Sequence, residues 1–99
     1  MRWNEWMESL NGEQPDASLS LPLQALWWER KGDWAKAHEL CQEAGSREGD
    51  WVHAYLHRVE GDEGNAAYWY ARARRPVCST ALAEEWQDLV ESLLATGPG

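Results

Sequence analysis

The chain contains no phenylalanine, only two cysteines, and nine basic residues against 17 acidic ones. Cys41 and Cys78 lack the C-x-x-C spacing of a metal or redox motif, so both are expected as reduced thiols without a redox role. A formal charge of −8 leaves no positive footprint for a phosphate backbone or an anionic lipid surface, which sets aside nucleic acid and membrane as partners. No stretch approaches the roughly 20 apolar residues that span a bilayer. The start, Met1-Arg2-Trp3-Asn4-Glu5-Trp6, has no unbroken apolar segment of the secretory kind, so a cytoplasmic protein is expected. Period-2 runs of β-branched residues are also missing, and we expect no sheet.

What is present is tryptophan: eight Trp and three Tyr supply all the aromatic rings. Each indole buries a large apolar area while its N–H seeks an acceptor, which places many of these rings where core meets polar edge. Ninety-nine residues with 43% apolar content suffice for one domain with one core and no staples. The pattern within that domain is a repeat. Leu21 to Ala44 can be laid over Asp50 to Ala73 at an offset of 29 residues, which matches Ala25, Gly32, Asp33, Ala37 and Ala44 with Ala54, Gly61, Asp62, Ala66 and Ala73. A period of this length predicts stacked helical hairpins, with small residues at the helix contacts and Gly-Asp ending one helix and capping the next.

The predicted class is all-α: two tandem αα-hairpins with a short N-terminal helix and a C-terminal capping helix. Trp3, Trp6, Met7 and Leu10 recur at helical spacing before Asn11-Gly12, and residues 11–18 read as a polar connector, so residues 1–18 form an N-terminal helix and linker. Residues 19–95 form the repeat domain. Its first helix runs from Leu19 to Lys31, with Ser18 or Ser20 as cap and Pro22 in the first turn; its second follows Asp33. Asp50 is expected to cap the third helix after a closing Gly45–Gly49 segment, and Asp62 to cap the fourth, which Pro76 ends. From Leu82 to Leu94 an apolar stripe faces inward while Glu84, Glu85, Gln87, Asp88 and Glu91 face solvent, and residues 96–99 fray as a tail.

The small residues Ala25/Ala54, Ala37/Ala66 and Ala44/Ala73 fall in a register that resembles tetratricopeptide repeats, and the Ala66 to Ala73 segment resembles the returning helix of Sel1-like repeats. Trp51 to Pro76 also resembles small bacterial proteins with a His-Ala-Tyr-Leu-His-Arg run, a likeness that implies no activity. The chain departs from the tetratricopeptide pattern in its period of 29 against 34, in carrying Trp28 and His57 where Tyr is usual, and in having two units. The resemblance implies a scaffold that holds a peptide or protein. In its register the groove presents Leu26, Glu29, Arg30, Tyr55, Arg58 and Val59, unless a terminal helix fills it.

Two side-chain stripes carry further chemistry. His53, His57 and Glu60 stand at i, i+4 and i+7 on one helix, a spacing that allows zinc chelation without the HExxH arrangement of zinc hydrolases; the other reading is histidines bonded to neighbouring carbonyls or carboxylates. Tyr68, Arg72 and Arg75 share a second stripe, with Arg74 nearby, and arginine forks suit an acidic peptide or chain terminus. The alternative there is pairing with the chain's own acids. Gly61-Asp62-Glu63-Gly64 reads as a turn, and no G-x-S-x-G elbow is present. The leading functional expectation is a non-catalytic adaptor without cofactor that binds a protein or peptide, through Tyr55, Arg58, Tyr68, Arg72 and Arg75. A metal- or small-ligand-binding protein, catalytic or not, built on His53, His57 and Glu60 is the second, and a homodimer the third.

Overall fold

Gly-Asp steps end two helices in the same way. Gly32 and Gly61 take φ of +92° and +85°, a region open to glycine at little steric cost, and break the preceding helices. The next amides, of Asp33 and Asp62, donate back to the carbonyls of Trp28 and His57 at 2.9 Å, closing Schellman turns. The aspartate side chains then accept from the amides of Lys36 (3.0 Å) and Asn65 (3.2 Å) as N-caps. The far ends of the two segments match too: Gly45 and Arg74 both adopt left-handed backbone, at φ 54° and 58°. For Arg74 that conformation costs about 1 kcal/mol.

The computed structural model describes residues 1–95, in which these turns separate six helices and no strand occurs: α1 (Trp3–Ser9), α2 (Leu21–Arg30), α3 (Trp34–Ala44), α4 (Arg47–Val59), α5 (Glu63–Ala73) and α6 (Leu82–Ala95). The expected tail, residues 96–99, lies outside the described residues. α2 packs chiefly on α3 and α4 chiefly on α5, with α3 against α4 joining the pairs. Ala25, Ala37, Ala54, Ala66 and Ala73 are all buried at these contacts.

Two helix starts differ from expectation. α2 begins at Leu21, not Leu19, with Ser20, one of the two serines expected as cap, at the N-cap position but without a side-chain cap bond, while Ser18 bonds to Asp16. α4 begins at Arg47, a turn before Asp50: Gly45 has already ended α3, and the extended Ser46 accepts the amide of Gly49 at 3.0 Å. Gly49 is thus helical, and a Cβ there would lie 2.8 Å from the Cβ of Ala44. Gly49→Ala is expected to lower stability by about 1–3 kcal/mol through overpacking. Gly64→Ala, on α5 with nothing within 4 Å of its added Cβ, is expected to raise it by about 0.5–1 kcal/mol through reduced chain entropy. Urea unfolding of the two variants checks this; shifts of the same sign would contradict the close approach at Gly49.

The groove between the leading helices is filled. α6 lies against both α2 and α4, and α1 packs on α6. Trp86 enters this seam, fully buried, with its indole N–H donating to the Leu26 carbonyl at 3.1 Å and the Arg30 guanidinium 3.8 Å above its ring. Trp3 and Trp6 meet the same ring at 5.9 and 6.0 Å. Glu85, expected to face solvent, is instead buried, where it accepts from Arg58 at 2.8 Å and from the Tyr70 hydroxyl. Its position one turn before buried Leu89 and two before Leu93 places it on the inward stripe, which Leu82, exposed at the first turn of α6, does not join; the waiting guanidinium and phenol make burial of its charge tolerable.

Candidate functional site

The sharpest grouping of chemically capable side chains lies where α3 crosses α4. The chain has three histidines, and all three meet there: His38 from α3, His53 and His57 from α4, with one nitrogen from each within 4.8 Å of the others. The α4 pair stacks at 4.8 Å between ring centroids, and His38 stands edge-on to His53 at 4.5 Å. His53 and His57 are buried, while His38 is half-exposed and opens the cluster to solvent.

Indoles and one carboxylate fix the rings. Trp69 of α5 stacks on His53 at 3.8 Å, and Trp34, held by its N–H to the Leu56 carbonyl at 2.8 Å, stacks on His38 at 4.9 Å. Glu60 Oε1 lies 2.6 Å from His57 Nδ1. Since a carboxylate only accepts, Nδ1 carries the proton, which leaves Nε2 as the nitrogen that ligates when the ring is neutral. That is the orientation in which a histidine ligand is usually held behind a metal. Neighbouring Asp62 groups with His57 and Glu60 but is exposed, and its carboxylate caps α5.

The set read from the sequence, His53, His57 and Glu60, is therefore rearranged: Glu60 orients His57 from behind, and His38 supplies the third converging nitrogen. Periodicity along one helix has no means of finding a residue on another. The one available signal was the count, since three histidines on two neighbouring helices are enough for a site.

Burial favours the neutral imidazole at His53 and His38. The pKa of His53 is pushed down to about 4, first by desolvation and then by charge on His38 and His57, and His38 is shifted the same way by desolvation. An unfolded histidine titrates near 6.5. Between that value and about 4 the unfolded chain takes up a proton that folded His53 refuses, so stability is complete above pH 6.5 and is lost as pH falls through this window. The loss reaches roughly 3 kcal/mol if His53 acts alone. Urea midpoints at pH 7 and pH 5 are expected to differ in that direction for the wild type and less for His53→Gln; equal differences would remove His53 as the cause.

The proposed partner-binding residues divide into two groups. Tyr55 and Arg58 are used inside the molecule: the Tyr55 hydroxyl donates to Glu29 at 2.7 Å, and Arg58 serves Glu85 and the Thr80 carbonyl beneath α6. Tyr68, Arg72 and Arg75 remain exposed, beside Arg47 and Arg74. Arg75 lies 3.9 Å above the Trp51 ring, and Arg72 approaches Trp69 at 5.0 Å and the Asp50 carboxylate at 3.5 Å. A cavity of about 70 Å³ lined by Arg47, Glu48, Trp51, Arg75 and Ser92 among others adjoins this face. Comparison with family models, curated proteins and solved structures gave no match, so the functional argument stands on this chain's own geometry.

Proposed function

We propose that this chain binds one divalent transition-metal ion, zinc foremost, through His38, His53 and His57. The observation that carries the reading is that every histidine of the sequence converges on one point, with Glu60 already behind His57. Imidazole suits zinc, copper and nickel, and neutral rings need not lose a proton before ligating. Zinc–nitrogen bonds of 2.0–2.1 Å set tetrahedral donors about 3.3 Å apart. The three nitrogens, within 4.8 Å of one another, draw together by up to about 1.5 Å to reach that spacing. Calorimetric titration of the metal-stripped protein with zinc chloride is expected to give one site per chain and a rise in melting temperature. An unchanged melting temperature at excess zinc would sink the reading.

A second reading keeps the adaptor function on the one face that supports it. Arg47, Arg72, Arg74 and Arg75, four of the nine basic residues, stay exposed with Tyr68 around one end of α4 and α5, while Arg58 and Lys31 are spent on internal carbonyls. Guanidinium groups beside aromatic rings suit an acidic peptide segment of a protein partner. Under this reading Arg72→Glu with Arg75→Glu weakens capture of such a partner by tenfold or more, on the order of 1.4 kcal/mol, with the melting temperature held. Unaltered capture by the double variant removes this face.

A further inference from the structure

The histidine cluster supplies three donors and no fourth. Among the described residues no other histidine, cysteine, aspartate or glutamate joins the three in one group. The nearest candidates are committed elsewhere. Glu60 is bound to Nδ1 of His57, Asp62 caps α5 and faces solvent, and Asp50 pairs with Arg72. Cys41, one turn beyond His38 on α3, is buried in the main core among Leu40, Val52 and Leu56, and burial raises its thiol to about 12. Closed structural zinc sites have four protein ligands, whereas three leave one coordination position for an outside molecule.

Charge indicates what fills that position. Three neutral imidazoles leave the ion's +2 intact, and Glu60 behind His57 offsets one unit. The remaining positive charge lies between His53 and His57, both buried, where an uncompensated charge is costly. Asp62 is exposed and screened by water, and Arg72, whose field reaches His53, is itself balanced by Asp50. One further negative charge neutralises the site. The indoles of Trp34 and Trp69 cover ring faces of His38 and His53 and leave the half-exposed His38 edge as the approach. Two indole walls favour a small group over a bulky one.

Building on the metal-binding reading, we propose that the bound ion carries an exchangeable fourth ligand, a small monoanion such as hydroxide or a compact carboxylate, admitted past His38. The site is thus a binding position for an external anion and not a closed structural centre.

Cobalt(II) reports this directly, because its visible spectrum responds to each ligand. The metal-stripped full chain is loaded with one equivalent of cobalt chloride and titrated with sodium azide. The expected result is a four-coordinate spectrum that shifts saturably with azide, with an apparent affinity at least about tenfold above that of cobalt in buffer, about 1.4 kcal/mol. Cobalt binding with no azide response overturns the open position while leaving the metal reading intact. A thiolate charge-transfer band that disappears in Cys41→Ala also overturns it, since the thiol would then be the fourth ligand. Failure of cobalt and zinc to bind at all overturns the metal reading itself and this inference with it. Trp34→Leu, which widens the approach beside His38, is expected to admit a bulkier anion such as benzoate that the wild type excludes; equal benzoate response in both proteins overturns the role given to the indole wall.

Discussion

His38→Ala is expected to abolish the stabilisation that zinc confers. An ion that binds only the folded chain stabilises it by about 4 kcal/mol when free zinc is a thousandfold above the dissociation constant. For a domain of this size that corresponds to a rise in melting temperature of roughly 15–30 °C. His38 is the informative position because it is half-exposed, whereas replacing buried His53 or His57 would also open a void beneath Trp69 or Trp34. The metal-free His38→Ala protein should therefore melt near the wild type and gain nothing from zinc. Glu60→Gln supplies the graded companion: it keeps three imidazoles and loses the charged partner of His57, a change that typically weakens metal affinity by roughly 10–100-fold without eliminating it. Differential scanning calorimetry with zinc or with a chelator separates the three proteins. If His38→Ala retains the full zinc shift, His38 is not a ligand.

The other large effect lies in the seam between α2 and α6. Trp86→Ala removes the ring that joins α6 to α2 and that Trp3, Trp6 and Arg30 pack against, and it leaves the Leu26 carbonyl without its donor. Truncating a buried tryptophan costs about 3–5 kcal/mol. The total stability of a domain is about 5–15 kcal/mol, so the variant should lose much of its folded population at 37 °C and bind dyes that report exposed apolar surface. Trp86→Phe separates packing from hydrogen bonding: it retains much of the ring and sacrifices the N–H, for an expected cost nearer 1–3 kcal/mol. Circular-dichroism melts of both variants test the assignment. A Trp86→Ala protein melting within a few degrees of wild type would mean that α6 is not docked in the seam.

The helix termini were readable because each is decided within four or five residues. Gly32-Asp33 and Gly61-Asp62 carry their own turn and cap, and the backbone angles at Asp33 and Asp62 agree closely, with φ of −105° and −95°. Asp50 is as good a cap by type as Ser46, and nothing local separates them; Gly45 ends α3 so that Ser46 is the first residue in position to cap α4. Glu85 reads as solvent-facing on its charge, although it stands one turn before Leu89 on the inward face. Its partners, Arg58 and Tyr70, lie 27 and 15 residues away.

The candidate site divides along the same line. His53, His57 and Glu60 belong to one helical stripe and its end, so their proximity follows from a repeat of 3.6 residues per turn. His38 enters only because α3 packs against α4, Tyr55 leaves the interaction surface because its hydroxyl bonds Glu29 of α2, and Arg58 because α6 brings Glu85 to it.

By itself the sequence determined the all-helical class, the Gly-Asp breaks, the faces of most helices and the two candidate stripes, since hydrogen-bond caps and side-chain periodicity act over a single turn. Only the tertiary structure decided that three histidines share a point, that Glu60 stands behind one of them, and that the groove is closed by Trp86. Those outcomes depend on which apolar faces pair once the chain collapses, and burial is a property of the whole packing arrangement, which no local window of residues encodes.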